Sequence, residues 1–171
     1  MQVVTIRQAA REDAPVIARI INASWRAAYA GIVPQDALVT LSDEKKQSQL
    51  AAGLDRFPEM RYYVLEADGI PFGAASLHPT HDTDLPNTAE FSFFYLLPDC
   101  WRSGYGTLLL VHLEHEAKTR GFLRLCCWTL AENVRAIAFY EKHGFRIDGA
   151  RQVVTIGKPL EVIRFVKQLI R

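Results

Sequence analysis

The sequence predicts an α/β domain in which a mixed, mostly antiparallel sheet is flanked by helices. Short runs of alternating or β-branched residues recur from one end of the chain to the other, as expected for strands. Amphipathic stretches of helical period separate some of these runs, whereas turn signals join others into hairpins. The resulting order is β-α-α-β-β-β-α-β-α-β-β, in which adjoining short helices are written as one segment.

Length and composition narrow the class of protein further. The chain has 171 residues, of which 49% are hydrophobic, so it can bury one substantial core, and one domain over residues 1–171 is expected. Its 20 basic and 19 acidic residues nearly cancel, which gives no support for binding to nucleic acid or to a membrane surface. Three cysteines, two of them adjacent, are a poor disulfide framework. No apolar run of membrane-spanning or signal-peptide length is present. We therefore expect a soluble cytoplasmic protein, either a monomer or a homodimer.

Strand, helix and turn signals place the elements of the first half of the chain. Residues 3–7 alternate and are rich in β-branched side chains, which predicts a strand. Asp13 before Ala14 and Pro15 predicts the N-cap of a helix with proline in its first turn, and this helix should end before Gly31. The further elements expected are short helices over 34–41 and 43–54, the second capped by Ser42 or Asp43, strands over 62–67 and 72–78 joined by an Asp68-Gly69 turn, and a loop over 79–88.

The second half is organised around the run over 89–120, which predicts a strand, a turn with two glycines and a long amphipathic helix ending at Gly121. The run over 123–130 is apolar on both faces, as in a strand at the centre of a sheet. The remaining expected elements are a helix over 133–143 closed by Gly144, a strand beginning at Phe145, and an antiparallel pair over 152–156 and 160–169 joined by a turn.

Gly104 and Gly106 stand where the long helix should begin, and this position predicts a phosphate site. The first N–H groups of a helix lack intrahelical partners and carry partial positive charge, and glycine lets a ligand approach the backbone closely. A P-loop would continue with Lys-Ser/Thr, but Thr107 and Leu108 follow here. A dinucleotide fingerprint would need a small residue in place of Leu109. Both nucleotide alternatives are therefore disfavoured.

Two motifs in the right order resemble those of the GNAT superfamily of N-acetyltransferases. The pyrophosphate loop of that superfamily reads Gln/Arg-x-x-Gly-x-Gly/Ala after a strand and a nearby proline; Gly104 and Gly106 fit it, but Trp101 replaces Gln or Arg. The second motif, Asn-x-x-Ala-x-x-x-Tyr-x-x-x-Gly-Phe, is complete. It comprises Asn133, Ala136, Tyr140, Gly144 and Phe145. The resemblance covers residues 60–150, implies an acetyl-CoA-binding core over 89–145, and leaves 1–60 as a variable acceptor-side region.

The resemblance implies transfer of an acetyl group from acetyl-CoA to a primary amine. Such an amine has a pKa of about 10, so a base must remove a proton, directly or through water, before the nitrogen can attack. Glu90, on the strand that leads to the phosphate loop, is the expected base, with Glu66 in reserve. Tyr140 is the expected acid that protonates the departing thiolate, and Asn133, two turns before it, shares its helix face.

The residues expected to hold the donor follow from the same resemblance. The strand of this superfamily splays at its middle and end, which frees backbone groups for the acetyl carbonyl and the pantetheine arm. The backbones of Phe94, Tyr95 and Leu96 lie there, and Asn133 would bond the pantetheine amides. The pyrophosphate would be held by the loop residues Trp101, Arg102, Ser103, Gly104, Tyr105, Gly106 and Thr107.

The acceptor site is expected between the N-terminal helices and the loop over 79–88. Trp25, Tyr29 and Tyr63 offer aromatic walls, and Asp82 and Asp84 offer negative charge, which suits a small cationic amine such as a polyamine or an amino-acid derivative. Asp82 and Asp84 can equally be interpreted as part of an acidic loop that contacts only solvent, in which case an acceptor of any charge is allowed. A protein or peptide acceptor, and a non-catalytic acetyl-CoA sensor, remain alternatives.

Histidine pairs raise the question of a metal site. His78 and His81 sit on either side of a proline, and His112 and His115 lie on a helix full of core leucines. No cysteine or third ligand is near either pair in sequence, so no metal is expected. His78 is instead assigned to the lining of the acceptor site, because it ends the strand beside that of Glu90.

Overall fold

A computed structural model describes residues 3–169 and confirms the predicted fold class. Its sheet has the order β1-β2-β3-β4-β6-β8-β7, with β5 paired to β3 beyond the end of β4. The strands are β1 Val4–Gln8, β2 Arg61–Ala67, β3 Ile70–Pro79, β4 Thr88–Glu90, β5 Phe94–Leu96, β6 Arg124–Leu130, β7 Arg146–Ile156 and β8 Lys158–Gln168. The helices are α1 Ala14–Ala28, α2 Gln35–Val39, α3 Asp43–Arg56, α4 Tyr105–Thr119 and α5 Val134–Lys142.

Strands β4 and β6 form the parallel pair of this otherwise antiparallel sheet, with Glu90 opposite Cys126. The connection between them runs through β5 and α4, as a parallel pair requires a crossover. Strand β6 lies between β4 and β8, and its side chains from Leu125 to Cys127 are almost fully buried. The central position expected for the run over 123–130 is therefore found.

Two local expectations are corrected by the structure. Asp13 is the N-cap residue of α1 and Pro15 lies in the first turn, as predicted, but the Asp13 carboxylate makes no capping bond; it accepts hydrogen bonds from the Ala10 N–H at 2.7 Å and from the Arg7 guanidinium at 2.8 Å. The run that begins at Ala89 is not one strand but two, because pairing to β6 stops after Glu90 and β5 pairs only with β3. Ser42, one of the two proposed caps of α3, does accept from the Lys45 N–H.

Helices cover the two faces of the sheet unequally. Side chains of α4 and α5, including Leu109, Leu113 and Tyr140, pack with Ala89 and Phe91 in the largest cluster of buried residues. Helices α1 and α3 pack on the opposite face, against Tyr62, Val64 and Ala74. Because alternate strand residues point to opposite faces, Glu90 lies on the α1 face although its neighbours lie on the α4 face.

In residues 3–169 no helix is long and apolar enough to cross a membrane.

A buried serine holds the break between β4 and β5. The register of β3 against this chain segment changes by one residue between the Glu90 pair and the Phe94 pair, as in a β-bulge. The fully buried Ser76 hydroxyl accepts hydrogen bonds from the N–H groups of Ser92 at 2.9 Å and Phe93 at 3.1 Å, and it contacts the Ser92 hydroxyl at 2.9 Å. One side chain thus satisfies the backbone donors that the bulge takes out of the ladder.

Replacing Ser76 with alanine should lower the free energy of unfolding by about 1–3 kcal/mol, because it leaves donors of the bulge unpaired in a buried place. Chemical denaturation monitored by circular dichroism measures this loss. Ser48→Ala is the matched control: the Ser48 hydroxyl donates to Glu44 within exposed α3, and its loss should change stability by less than about 0.5 kcal/mol. Equal unfolding midpoints for the two variants would show that the bulge does not depend on Ser76.

Candidate active site

The departure of β5 from β6 opens a cleft between them. Its volume is about 470 Å³. One wall is the segment from Phe91 to Leu96, and the other is formed by β6 from Cys127 to Thr129. The loop before α4 and one face of α5 complete the lining. The break in the strand therefore creates the site.

Backbone donors line this cleft along β5. The Leu97 N–H donates to Phe72, and the Ser76 N–H donates to Phe93, so the backbones of odd-numbered residues in this segment point towards β3. By alternation the N–H groups of Phe94 and Leu96 point the other way, into the cleft. This corrects the expectation for Tyr95, which lines the cavity but whose backbone pairs with Ala74 on β3. The Leu96 carbonyl is already bonded by Ser24 at 2.7 Å.

The N-terminus of α4 opens onto the same cleft. Gly104 is its N-cap with φ of 84°, a left-handed conformation that favours glycine, and Arg102 is also left-handed with φ of 63°. The first intrahelical bond is donated by Leu108, so the N–H groups just before it have no partner within the helix. A Cβ on Gly106 would lie 3.3 Å from the Phe139 ring, so this glycine allows α4 and α5 to approach each other. Loop and helix together form an anion site.

Trp101, the residue that departs from the superfamily motif, has a structural role in this loop. Its indole Nε1 donates to the Leu96 carbonyl at 2.8 Å and ties the loop to the end of β5. The Arg135 guanidinium stacks 3.7 Å from the Trp101 ring centroid. Arg102 and Lys142 line the cleft beside them, and burial together with the nearby Arg102 charge lowers the pKa of Arg135. Positive charge therefore collects where the free N–H groups lie.

Helix α5 presents both functional residues of the second motif to the cleft. The side-chain amide oxygen of Asn133, Oδ1, caps the helix by accepting from the Ala136 N–H at 3.2 Å. The side-chain NH₂ group of Asn133 is left as a donor towards a ligand. His143 closes the outer end: its Nδ1 donates to the Phe139 carbonyl, and its Nε2 accepts from the Thr107 hydroxyl at 2.9 Å. The two helices that border the cleft are thereby linked at its mouth.

Tyr140 lies deeper in the cleft, among aromatic side chains. It is 8% exposed, and its ring packs against Phe91, Phe145 and Phe165 with centroids 5.6–5.8 Å away. Burial raises the pKa of the Tyr140 phenol well above its ordinary value, and the neighbouring Cys127 thiol acts in the same direction. Tyr140 therefore stays protonated at neutral and mildly alkaline pH, as a proton donor must.

Glu90 lies on the other face of the sheet, outside the lining of the cleft. Its carboxylate accepts from the Thr80 hydroxyl at 2.7 Å, and it is the cross-strand neighbour of both His78 and Cys126. Ser92, two residues further along the chain, does line the cleft. Glu90 and Tyr140 thus lie on opposite faces of the sheet.

The aspartates of the acidic loop bind a cation that the sequence did not reveal. Asp82 and Asp84 form ion pairs with Arg164, at 3.0 and 2.5 Å, and the Trp128 indole donates to Asp82 at 3.0 Å. Asp148 binds the same guanidinium, which is 5% exposed, and these bonds raise the pKa of Arg164. Neither aspartate lines the cleft, and neither is in contact with solvent only. The ion pairs of Asp82 and Asp84 with Arg164 hold the loop over 80–87 against β6 and β8.

Other residues expected at the site also lie outside the lining of the cleft, among them Trp25, Ser103 and Tyr105. His78 is buried, and its Nδ1 donates to the Pro79 carbonyl at 2.8 Å. The Tyr63 phenol donates to Glu116 under α4, and burial followed by this bond raises the pKa of Tyr63. Glu66 accepts from Arg7 at 3.1 Å near the far edge of the sheet, which removes it as a reserve base. The aromatic residue that does line the cleft from the acceptor side is Tyr29, whose hydroxyl is 3.0 Å from that of Tyr95.

One group of side chains has the composition of a metal site. Potential ligand atoms of Asp82, Glu90 and Cys126 lie within 4.8 Å of one another. Both carboxylates already accept from protein donors, namely Arg164 and Trp128 for Asp82 and Thr80 for Glu90. Burial, and then the nearby Glu90 charge, raises the pKa of Cys126 to about 12, which favours the thiol over the metal-binding thiolate. We assign no metal to this group.

Several cleft residues could not be named from the sequence. Cys127 and Trp128 line it because β6 faces the break in the neighbouring strand, a fact of topology rather than of sequence pattern. Arg135, Phe139 and His143 occupy variable positions inside or next to the second motif. The helical period of three and four was the signal that could have found two of them: His143 lies three residues after Tyr140, and Phe139 lies three residues after Ala136.

A helix N-terminus open to anions, free strand N–H groups and a protonated tyrosine in one cleft define a transferase that takes a phosphate-bearing acyl donor. A family model described as the acetyltransferase (GNAT) family matches residues 19–145. The chain therefore belongs to this family, as the two motifs indicated, and it is an acetyltransferase.

Relatives and solved structures agree with this family. The chain is 29% identical over 169 residues to an uncharacterized N-acetyltransferase, YuaI, of Bacillus subtilis (strain 168), covering 91% of this chain and 93% of the relative. It is 24% identical over 150 residues to a spermidine N(1)-acetyltransferase of Thermoplasma acidophilum, covering 85% and 89%. PaiA N-acetyltransferase of T. acidophilum, crystallised in complex with coenzyme A, shares the fold with a TM-score of 0.75 at 23% identity, over 97% of this chain and 99% of that one.

Proposed function

We propose that the protein transfers the acetyl group of acetyl-CoA to the primary amine of a small molecule, with Glu90 as general base and Tyr140 as general acid. The observation that carries this proposal is the single cleft that joins the open N-terminus of α4 to Tyr140 and, through Ser92, to the side of the sheet where Glu90 lies. A donor and an acceptor that enter from opposite faces of the sheet would meet at the break between β4 and β5.

The residues of the cleft suit acetyl-CoA as the donor. Its pyrophosphate fits the N–H groups from Ser103 to Thr107, where the helix dipole and three cationic side chains favour negative charge. The cations are Arg102, Arg135 and Lys142; within residues 3–169 none of them forms an ion pair with a carboxylate. The pantetheine amides would then reach the NH₂ group of Asn133. The family and the coenzyme A complex of PaiA support the same donor.

The proton transfers are divided between the two faces of the sheet. Glu90 accepts the proton of the attacking ammonium, through water, because its carboxylate does not reach the cleft directly. The N–H groups of Phe94 and Leu96 are directed to the negative charge that develops on the thioester oxygen. Tyr140 gives its proton to the departing sulfur, whose thiol has an ordinary pKa of about 8.5.

A small acceptor is favoured because a loop and a helix cover the face of the sheet from which the acceptor would enter. The loop over 80–87 is fastened to the sheet by Arg164, and α1 packs across β5 through the bond from Ser24 to Leu96. A protein acceptor would need an open groove on this side of the sheet. The T. acidophilum relative named for spermidine acts on a small polyamine, which agrees with this choice.

A thiol-release assay tests the proposal. The protein is incubated with acetyl-CoA and a panel of polyamines, amino acids, aminoglycosides and short peptides, and free CoA is measured with a thiol reagent. We expect turnover with at least one small amine and none with the peptides. Turnover restricted to the peptides would contradict the small acceptor, and tight acetyl-CoA binding without turnover on any amine would contradict catalysis.

A further inference from the structure

A second cavity adjoins the cleft on the acceptor side of the sheet. It has a volume of about 230 Å³ and lies between α1, α3 and the connection from β4 to β5. We call it the side cavity. Ser92, Phe93 and Tyr95 line both it and the cleft, so the two cavities share one wall at the break in the strand. A molecule in the side cavity would therefore lie next to the place where acetyl transfer is proposed.

The side cavity contains a lysine to which the described residues, 3–169, supply no counter-ion. Lys46 lines it, with Nζ 5.9 Å from the centroid of the Trp25 ring, and burial lowers the pKa of Lys46, helped by the charge of Lys45. Within residues 3–169 no carboxylate oxygen lies within 4.0 Å of Lys46 Nζ. The acidic residues two and three positions before Lys46 have other partners. Asp43 accepts from the Asn22 side-chain amide at 2.7 Å, and Glu44 accepts from the Ser42 hydroxyl at 2.8 Å.

The remainder of the side cavity is apolar and aromatic. Trp25, Tyr62 and Phe93 form its walls, together with Ile21 and Leu50. Such walls suit a hydrocarbon side chain, but they provide no group that would neutralise the ammonium of Lys46. A partly desolvated cation beside an apolar cavity is the arrangement expected where a ligand supplies the anion.

Opposite charge lies on the other side of Ser92. Glu90 precedes it by two residues, and Asp82, Asp84 and Asp148 share the single guanidinium of Arg164, so this part of the sheet face has more carboxylates than cations. An acceptor placed across Ser92 would meet negative charge at its amine end and Lys46 at its other end.

We infer that the side cavity binds the carboxylate end of the acceptor and that the acceptor is an amino acid with an apolar side chain. This inference rests on the proposed function, which it makes more specific. In this arrangement the ammonium faces Glu90, the side chain packs against Phe93 and Trp25, and the carboxylate pairs with Lys46. A simple polyamine lacks the group that Lys46 requires.

Paired probes separate recognition of the carboxylate from catalysis. Leucine, methionine and phenylalanine, each with its own amide, are titrated by calorimetry into the protein saturated with CoA. We expect at least one amino acid to bind about tenfold or more tightly than its amide, since the amide keeps the side chain and amine but loses the charge. The Lys46→Met variant, with a side chain of similar length and good helix propensity, should reduce this ratio to about one.

Lys45→Met is the matched control, because Lys45 is the exposed neighbour on the same helix and should leave the ratio unchanged. Equal binding of acid and amide, a ratio that survives in Lys46→Met, or no binding of any probe would each overturn the inference. Acetylation of amines without preference for a carboxylate would overturn it while leaving the proposed function intact. Binding of amino acids that depends on Lys46 but releases no thiol would uphold the inference and refute the catalytic proposal.

Discussion

The Tyr140→Phe variant is expected to have a kcat lower by about 10²- to 10⁴-fold and a nearly unchanged affinity for acetyl-CoA. The change removes one hydroxyl and keeps the ring, so the packing against Phe91, Phe145 and Phe165 is retained. Stopped-flow or steady-state thiol release gives kcat, and calorimetry gives the dissociation constant. A loss confined to kcat is the signature of an interaction made in the transition state.

The pH dependence of the wild type follows from the same residue. Because burial raises the pKa of the Tyr140 phenol above its ordinary value of about 10, the phenol loses its proton only above that pH. The acid form therefore persists through the neutral and mildly alkaline range, and kcat with a saturating acceptor should show no decline there that depends on Tyr140. A decline below pH 10 that disappears in Tyr140→Phe would contradict the direction of this shift.

Tyr63→Phe is the matched control for Tyr140. Tyr63 is also a buried tyrosine with a raised pKa, but its hydroxyl bonds Glu116 beneath α4, away from the cleft. Its loss should cost about 1 kcal/mol of stability and leave kcat unchanged. If both variants lost activity equally, the effect of Tyr140→Phe would be one of packing, and Tyr140 would have no part in the chemistry.

Much of the fold was predictable because its signals are local. Periodicity placed β2, β3, β6 and the long helices, and turn residues placed their ends: Asp68 and Gly69 both have positive φ, as the predicted hairpin requires. The break between β4 and β5 was not visible in this way, since the side chain that satisfies its backbone donors, Ser76, lies on another strand. A single run of β-forming residues therefore became two strands.

The site shows the same contrast between features set by local sequence and features set by contacts between distant residues. Most of the residues predicted for the phosphate loop and α5 line the cleft, because each belongs to one continuous segment with a helix start; Ser103 and Tyr105 are the exceptions. Asp82 and Asp84 were assigned to the acceptor because charge in a loop could be read from the sequence, whereas their partner could not. Arg164 is some eighty residues away in the chain, and only the pairing of β6 with β8 brings it beneath that loop.

Glu90→Gln is expected to lower kcat/KM for the acceptor by about 10²- to 10⁴-fold at neutral pH. Glutamine keeps the size of the side chain and can still accept from the Thr80 hydroxyl, so the local structure should persist. What it cannot do is take a proton from the acceptor's ammonium. The variant then depends on the small fraction of acceptor that is already a free amine.

This dependence gives the Glu90 variant a distinctive pH profile. The free-amine fraction rises tenfold with each pH unit below the amine pKa of about 10, so the activity of Glu90→Gln relative to wild type should climb steadily between pH 7 and pH 10. A variant that was merely misfolded would keep a constant deficit. Thiol release measured across this range, with a subsaturating acceptor, separates the two cases.

Glu66→Gln provides the comparison on β2, which is separated from β4 by β3. Glu66 is likewise a hydrogen-bonded carboxylate in the sheet, but it pairs with Arg7 and lies outside the cleft, so its replacement should leave both rate and pH profile unchanged. A flat ratio for Glu90→Gln across the whole range would mean that proton removal is not its task. The acceptor would then lose its proton to solvent and reach the break in the sheet as the neutral amine.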